Sequence, residues 1–162
     1  MIKQAKKFAL EAHGDQKYGT HPYEKHLEDV VSHLKDFGDN AIVIGYLHDV
    51  IEDTEVSYQQ VKDTFGSFIA DCVAIVTDEP GTNRKERKKK TYQKMSNVSG
   101  DLELALTVKA ADRLANIKAC LIDSNQSLLN MYKSEQSVFK SSVYRKGLCD
   151  SIWSQINDCF DI

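Results

Sequence analysis

The stretch AIVIGYLHDVIED, residues 41–53, determines the expected fold and indicates where the chemistry lies. Its apolar start does not alternate with polar residues, which favours a buried helix over a half-exposed strand. His48 and Asp49 end this apolar run, and neither an imidazole nor a carboxylate is stable there without a partner. Glu52 and Asp53 continue the helix, and Asp49 and Asp53 stand one turn apart on the same face. This density of carboxylates predicts a nearby cation.

Apolar residues recur at helical spacing in both directions from this stretch. The longest such segment, residues 102–121, contains no Gly or Pro and is expected to form a long buried helix. Glycines and prolines separate the segments, and no pair of strands is evident. We predict an all-α helical bundle with helices near 2–13, 22–37, 39–51, 57–65, 67–78, 83–97, 101–122, 125–140 and 145–160. Short polar residues that can cap free N–H groups precede several of them, namely Asp39, Ser57, Asn83 and Asp101.

Length and composition favour one folded domain. The chain has 162 residues, of which 41% are hydrophobic and 28% charged, as in globular proteins that fold on their own. No linker or repeat divides it, so we predict a single domain over 1–162, with a core in 2–122 and C-terminal helices in 123–162 that pack on it. The net charge of -3 argues against a nucleic-acid partner, since such partners are held by broad basic surfaces.

The cysteines and the N-terminus bear on the cellular compartment. The cysteines are scattered without a CxxC pair, which predicts buried thiols in a reducing compartment; they are Cys72, Cys120, Cys149 and Cys159. The N-terminus, MIKQAKKFALEAH, is interrupted by charge before a signal-like apolar core develops, and no stretch is long enough to span a membrane. We therefore predict a cytoplasmic protein with no membrane association.

Two further side chains complete a candidate metal site with His48 and Asp49. His26 is expected to begin a helix after the turn GTHPYEKH, and Asp112 lies inside the otherwise apolar segment LTVKAADRLANIKA. Two imidazoles and two carboxylates form a mixed nitrogen and oxygen set, which favours Mn²⁺ or a similar divalent transition metal over a closed structural zinc. Such an ion lowers the pKa of a coordinated water, and a nearby carboxylate can accept its proton.

The same residues admit an ordinary structural interpretation. Asp112 and Arg113 would then form a local ion pair, and His48 would be a core residue with a satisfied ring. Glu52 and Asp53 would be a solvated helix end. Residue spacing alone leaves this alternative open.

Several motifs together resemble a known family. They follow one another in the order that is typical of the hydrolase domain of RelA/SpoT-type alarmone hydrolases, which has the HD-domain helical fold, and the resemblance is strongest to the stand-alone small alarmone hydrolases. An isolated HD dipeptide would be weak evidence, whereas the ordered set is specific. The motifs are AHGDQKYGTHPYEKH at 12–26, YLHDVIEDT at 46–54, FGSFIADCVAIVTDE at 65–79, NRKERK at 83–88 and VKAADRLANI at 108–117.

The resemblance implies a reaction and assigns roles to the candidate residues. The family removes the 3′ pyrophosphate from guanosine 3′,5′-bis(diphosphate), the alarmone of the stringent response, in an Mn²⁺-dependent hydrolysis that yields GDP and pyrophosphate. By resemblance, Glu52 and Asp53 activate and orient the attacking water, and Asn116 lines the nucleotide pocket. The implied metal ligands are His26, His48, Asp49 and Asp112.

Candidates for substrate contacts lie around these motifs. Lys17 can meet a phosphate and Tyr18 can stack on a base, although the stretch from Gln16 to His21 is one residue shorter than in the family. Lys109 and Arg113 flank Asp112 and are phosphate candidates, while Arg113 has the alternative of pairing with an acidic neighbour. The basic run 84–90 either lines the phosphate approach or forms a solvated face. Ala119 replaces a hydroxyl residue typical of the family.

Two other functions remain open at this point. An HD phosphohydrolase of the same design can act on another phosphorylated nucleotide, as a nucleotide phosphatase or a dinucleotide 2′-phosphatase, and would release orthophosphate. A non-catalytic nucleotide-binding module would need no base beside the metal, which the Glu52–Asp53 pair argues against. The region after residue 122, with Tyr144 and Trp153, carries no chemical motif and is interpreted as packing or as the interface of a homo-oligomer.

Overall fold

The computed structural model describes residues 1–161 and is predominantly helical, which confirms the all-α prediction. The helices are α1 (Ile2–His13), α2 (Tyr23–Ser32), α3 (Asp39–Leu47), α4 (Val50–Asp53), α5 (Tyr58–Phe65), α6 (Ser67–Val76), α7 (Arg84–Ser96), α8 (Leu104–Ile122), α9 (Gln126–Val143) and α10 (Asp150–Phe160). Short 3-10 helices cover Lys35–Phe37 and Gly100–Glu103.

Helix α8 lies at the centre of the bundle, in contact with α2, α3, α6, α9 and α10. Residues 105–115 of this helix are all buried, because neighbours cover nearly its whole circumference. Helix α3 is also buried and packs on α1, α2, α6 and α8. A Cβ at Gly45 would stand 2.6 Å from Cδ1 of Leu34, so glycine allows α3 to pack closely at this point. The end of α3 and the middle of α8 are thereby fixed next to each other.

Several predicted helices have different bounds in the structure. The segment predicted as 22–37 ends at Ser32, and the one predicted as 39–51 is divided into α3 and α4 around His48 and Asp49. The predicted helix 101–122 begins with a 3-10 turn, the predicted 125–140 extends to Val143, and the predicted 145–160 begins only at Asp150. Apolar spacing locates helices, but it does not register such local breaks.

Two of the predicted caps are confirmed and two are wrong. Ser57 forms a capping box with Gln60, and the Asn83 side chain accepts a hydrogen bond from the N–H group of Glu86. Asp39 is the first residue of α3 and follows an N-cap glycine, while Asp101 lies inside the 3-10 turn. At both positions the backbone reaches its helical conformation one or more residues away from the expected cap.

A small hairpin contradicts the prediction that no strands pair. Strands β1 (Lys17–Tyr18) and β2 (His21–Pro22) form an antiparallel ribbon, with Tyr18 opposite His21. Gly19 lies in the connecting turn at a φ of +59°, which glycine adopts without strain. Helix α2 then begins at Tyr23, so His26 is in its first turn and does not begin it as predicted.

The C-terminal helices pack on the rest of the bundle, α9 against α7 and α8, and α10 against α8. Trp153 is buried in the hydrophobic core, as predicted. The cysteines are free, and all but the partly buried Cys159 are buried. None of the helices described over residues 1–161 is long and apolar enough to cross a membrane.

Candidate metal centre and active site

The predicted metal ligands converge from three parts of the fold. His26 comes from α2, His48 and Asp49 occupy the junction between α3 and α4, and Asp112 lies in the middle of α8. The Nε2 atoms of His26 and His48 are 3.3 Å apart. Asp49 Oδ2 is 2.9 Å from His48 Nε2, and Asp112 Oδ1 is 3.3 Å from His26 Nε2 and 3.5 Å from His48 Nε2. The ligand atoms of His26, His48 and Asp49 lie within 4.8 Å of one another, and Asp112 adjoins this group through its contacts with the two imidazoles.

The chemistry of these atoms fits a divalent cation. Nδ1 of His48 donates to the carbonyl of Gly45 at 2.7 Å, so Nε2 of a neutral His48 carries a lone pair. That lone pair faces two carboxylates. Burial lowers the pKa of His48, but Asp49 and Asp112 outweigh it and raise the pKa well above its ordinary value. The donor set therefore favours a positive charge at its centre, which a divalent cation would supply.

The carboxylates of the site are held by neighbouring donors. The Tyr23 hydroxyl donates to Asp49 and, at 3.3 Å, to Asp53. Lys109 Nζ lies 3.3 Å from the second oxygen of Asp112. Burial opposes ionisation of Asp112, but Lys109 and the two histidines keep its pKa well below the ordinary value. These contacts favour the ionised form of Asp112 and hold both aspartates in fixed orientations, as metal binding would require.

Glu52 and Asp53 lie beside the metal donors and line the same cavity. Glu52 accepts a hydrogen bond of 2.6 Å from the N–H group of Asp78, and partial desolvation, together with the negative charges of Asp49 and Asp78, raises the pKa of its carboxyl group. Asp53 accepts hydrogen bonds from Tyr23 and from Nε2 of Gln16, the latter at 3.1 Å. The predicted proximity of Asp49 and Asp53 is confirmed, because both carboxylates bind the Tyr23 hydroxyl.

Of the residues predicted to contact the substrate, Tyr18 and Asn116 lie at the site and Lys17 does not line the cavity. The ring of Tyr18 stacks on His26 with a centroid distance of 4.6 Å, and its hydroxyl donates to Oδ1 of Asn116 at 2.6 Å. Asn116 in turn donates to Asp112 at 2.8 Å, so both lie at the site. Lys17 is exposed on β1 and is absent from the cavity lining among residues 1–161, so its phosphate contact stays a prediction.

Cations line the other side of the cavity. Arg84 and Lys88 of α7 face it together with Lys109 and Arg113 of α8. Both interpretations of the basic run 84–90 therefore hold in part. Arg84 and Lys88 line the cavity, whereas other lysines of the run, such as Lys89, are exposed on a solvated face. The wall is therefore suited to an anionic ligand whose phosphate groups lie beside the metal donors.

Helix α9 contributes residues that the sequence did not reveal. Glu135 binds Arg84 at 2.8 Å and Arg113 at 3.3 Å, and Tyr132 lines the cavity. The contact with Glu135 confirms the alternative that Arg113 pairs with an acidic neighbour, and the Arg113 guanidinium also stands 4.1 Å from the centre of the Phe139 ring. The helical spacing of Tyr132, Glu135 and Phe139 is a detectable signal, although it is equally typical of a packing face.

Comparisons with known proteins agree with this architecture. A family model described as "HD domain" matches residues 5–148, which reaches from α1 through the whole of α9. The chain therefore belongs to the HD-domain family. A relative from Xenopus tropicalis, named guanosine-3′,5′-bis(diphosphate) 3′-pyrophosphohydrolase MESH1, is 30% identical over 73% of this chain and 68% of its own length. The expected resemblance to alarmone hydrolases is confirmed by such relatives.

Two further matches extend the comparison. The Aquifex aeolicus guanosine-3′,5′-bis(diphosphate) 3′-pyrophosphohydrolase is 29% identical over 99% of this chain, but the chain spans only 23% of that protein. A solved structure of a metazoan ortholog of SpoT, described as hydrolysing ppGpp and acting in starvation responses, superposes with a TM-score of 0.84. At 22% identity, over 99% of this chain and 93% of the other, this match establishes the HD fold.

Proposed function

We propose that the chain is a metal-dependent phosphohydrolase that removes the 3′ pyrophosphate from guanosine 3′,5′-bis(diphosphate), giving GDP and pyrophosphate. One observation carries the proposal: two imidazoles and two carboxylates meet beside a second carboxylate pair, in a cavity whose opposite wall is cationic. The names of the relatives support the choice of substrate.

His26, His48, Asp49 and Asp112 would hold the metal, for which Mn²⁺ is our proposal because the donor set mixes imidazole and carboxylate. When bound, a divalent ion neutralises charge on a phosphoryl oxygen and makes water a stronger nucleophile. The HD-domain family and the clustered His26, His48 and Asp49 support a divalent metal in general.

The carboxylates of α4 would handle the proton of the attacking water. Water attacks the phosphorus atom attached to the ribose 3′ oxygen, the bond between that oxygen and phosphorus breaks, and the 3′ oxygen takes up a proton from solvent, which balances the proton lost by the water. Glu52 accepts the proton lost by the water, and its raised pKa makes it a better base than an ordinary carboxylate. Asp53, fixed by two donors, orients the water.

The cationic wall would receive the pyrophosphate groups. Lys88 and Arg84 are held in place by Asp78 and Glu135, so their positions are fixed before the substrate arrives. Lys109 is buried beside Asp112 and lines the cavity next to the metal donors, where it would contact the phosphate under attack. Arg113, bound to Glu135 and packed on Phe139, supports this wall from behind.

The nucleoside would lie beyond Tyr18, which lines the catalytic cavity and an adjacent one. Ala115, Ala119 and Ile122 of α8 give the adjacent cavity an apolar floor, and His33 and Lys118 lie at its edge. A planar base matches such a floor, and the hydrophobic contact would compensate for the hydroxyl group that Ala119 lacks. Tyr18 and Asn116 would then contact the ribose between the two cavities.

A second substrate class keeps the same catalytic centre. An HD phosphohydrolase acting on a nucleotide monophosphate or a dinucleotide 2′-phosphate needs the same donor set, and the cationic wall would serve a single phosphate equally well. Such an enzyme releases orthophosphate instead of pyrophosphate. A cytoplasmic location and a homo-oligomeric state stay predictions.

The test is a timed incubation of the purified chain with Mn²⁺ and guanosine 3′,5′-bis(diphosphate), resolved by ion-exchange chromatography. We expect GDP and pyrophosphate in equal amounts. Unchanged alarmone, together with orthophosphate release from other nucleotides, would replace the proposal with the second class. No turnover of any nucleotide by protein with bound metal would favour the non-catalytic binding module.

A further inference from the structure

His13 and Gln16 form a hydrogen-bonded chain that ends on Asp53. Nδ1 of His13 lies 2.8 Å from Oε1 of Gln16, and Nε2 of Gln16 lies 3.1 Å from Oδ2 of Asp53. The main chain of Gln16 is also fixed, since its N–H group donates to the His13 carbonyl and its carbonyl accepts from the Tyr23 N–H group. Neither His13 nor Gln16 lines the catalytic cavity or belongs to the metal donors.

The direction of these hydrogen bonds follows from the carboxylate at the end. An ionised Asp53 accepts only, so the amide of Gln16 must present its NH₂ group to it. The amide oxygen then faces His13, and this oxygen also only accepts. His13 must therefore be protonated at Nδ1, because the other neutral tautomer would set a lone pair against the amide oxygen. Only the Nδ1 tautomer of His13 is therefore compatible with the orientation in which Gln16 donates to Asp53.

The surroundings of His13 favour a polar task over simple packing. His13 is only 6% exposed, and its ring packs at a tilt of 30° against the ring of Tyr23, with a centroid distance of 4.3 Å. Its Nε2 atom is buried without a hydrogen-bond partner among the described residues. A leucine would fill this apolar space without leaving a buried nitrogen unpaired, so packing alone does not explain a histidine here.

We propose that His13 is a positioning residue that acts through Gln16 on Asp53 and, by ring packing, through Tyr23 on the carboxylates that the Tyr23 hydroxyl binds. The inference rests on the proposed hydrolase function. His13 orients the Gln16 amide, Gln16 donates to Oδ2 of Asp53, which the Tyr23 hydroxyl also contacts at 3.3 Å, and Asp53 directs the attacking water. The hydrogen-bonded chain affects the chemical step and leaves substrate binding and metal binding essentially unchanged.

The kinetic test compares Gln16→Ala with Gln59→Ala. Gln59 donates to Asp63 at 2.7 Å on the exposed face of α5 and offers the same Gln–Asp contact away from the cavity. We expect Gln16→Ala to lower kcat about tenfold with KM and Mn²⁺ affinity within about twofold, and Gln59→Ala to change neither. In an Asp53→Asn background, Gln16→Ala should lower kcat less than about twofold, because the two residues act as a unit. Additive losses would overturn the proposal.

The His13 variants separate positioning from packing. His13→Asn retains an N–H donor near the position of Nδ1, whereas His13→Leu places an apolar side chain of similar size in the buried position of His13 and lacks the donor. We expect the asparagine variant to retain more kcat and the leucine variant to retain more thermal stability. If kcat followed the melting temperature across the two variants, His13 would have a structural role only.

A tautomer measurement by ¹⁵N NMR needs no substrate. We expect His13 to carry its proton on Nδ1, and we expect this signature to weaken in Gln16→Ala. Protonation on Nε2 would overturn the inference whatever the activity. A wild-type protein that shows the Nδ1 tautomer but no hydrolysis would count against the proposed function and would leave this hydrogen-bonded chain without a catalytic role.

Discussion

Asp112 and Arg113 are neighbours in α8 but belong to two different halves of the cavity. Asp112 faces α2 and the α3–α4 junction, where its carboxylate oxygen approaches two imidazole nitrogens. Arg113 faces α9, where it binds Glu135 and packs on Phe139. In the metal half His48 and Asp112 interrupt apolar sequence patterns, while Tyr132, Glu135 and Phe139 of the α9 half follow ordinary helical spacing. One half is therefore visible in the sequence and the other becomes visible only in three dimensions.

The largest effect is expected from Asp49→Asn in the metal half. The substitution removes a ligand charge and leaves His26, His48 and Asp112 to hold the ion alone. We expect Mn²⁺ binding, measured by calorimetric titration, to weaken by about 100-fold and turnover to fall by about 1,000-fold or more. Asp71→Asn is the matched control, because Asp71 accepts from Tyr58 at the surface as Asp49 does from Tyr23 in the site. Wild-type turnover by Asp49→Asn would refute the metal assignment.

Glu52→Gln tests the catalytic base within the same half. Glutamine can still accept the hydrogen bond from the Asp78 N–H group, so the loop stays in place while the proton acceptor is lost. We expect kcat to fall by about 100- to 10,000-fold with Mn²⁺ affinity nearly unchanged. Glu55→Gln, an exposed position outside the catalytic cavity, should keep the wild-type rate. Loss of Mn²⁺ binding in Glu52→Gln would indicate that Glu52 is a metal ligand and not the catalytic base.

The contrast between the halves explains what could be predicted. His48 and Asp112 stood out because they interrupt apolar helical patterns, whereas His26 was placed by the turn GTHPYEKH and by the family resemblance. The packing of α3 and α2 against α8 brings the three side chains together. The interaction of Arg84 with Glu135 joins residues 51 positions apart on two helices. No local pattern specifies that pairing, which depends on how α7 and α9 pack. Tyr132 likewise carried no signal that distinguishes a cavity wall from a packing face.

The fold divides in the same way. Helix positions followed from apolar spacing, whereas the break between α3 and α4, which falls at the proposed ligands His48 and Asp49, was not indicated by spacing. The two-residue strands of the hairpin are too short to produce a periodic pattern. The hairpin nonetheless carries Tyr18 to the ring of His26, so the missed element bears directly on the site.

Lys88→Gln tests the cationic wall with a smaller effect. Lys88 bridges to Asp78 at 2.8 Å and lines the cavity, whereas the adjacent Lys89 is exposed outside it. We expect kcat/KM for the alarmone to fall about tenfold in Lys88→Gln, which corresponds to the loss of one charge-assisted hydrogen bond. Lys89→Gln should stay within about twofold of the wild type. Equal losses in both variants would indicate a general surface field in place of a defined phosphate contact.

Glu135→Gln tests the α9 half through stability. Burial opposes ionisation of Glu135, but Arg84 and Arg113 outweigh it and lower its pKa from the ordinary 4.5. Because the pKa of Glu135 is lower in the folded state than in the unfolded state, its stabilising contribution is complete above the unfolded-state pKa. This contribution is lost as the pH falls through the folded-state pKa. We expect Glu135→Gln to lower the free energy of unfolding by about 1–3 kcal/mol at pH 7.

The pH dependence of that difference separates an ion pair from packing. Denaturant titrations of wild type and Glu135→Gln should converge as the pH falls below 4.5, because protonation turns Glu135 into a neutral group similar to glutamine. A gap that stays constant down to acidic pH would mean that Glu135 stabilises α9 by shape alone. In that case Arg84 and Arg113 would be positioned by their cation–π contacts with Tyr132 and Phe139. The metal half would then be held by charge and the α9 half by aromatic packing, so the two halves would differ in stabilising forces as well as in how far the sequence predicts them.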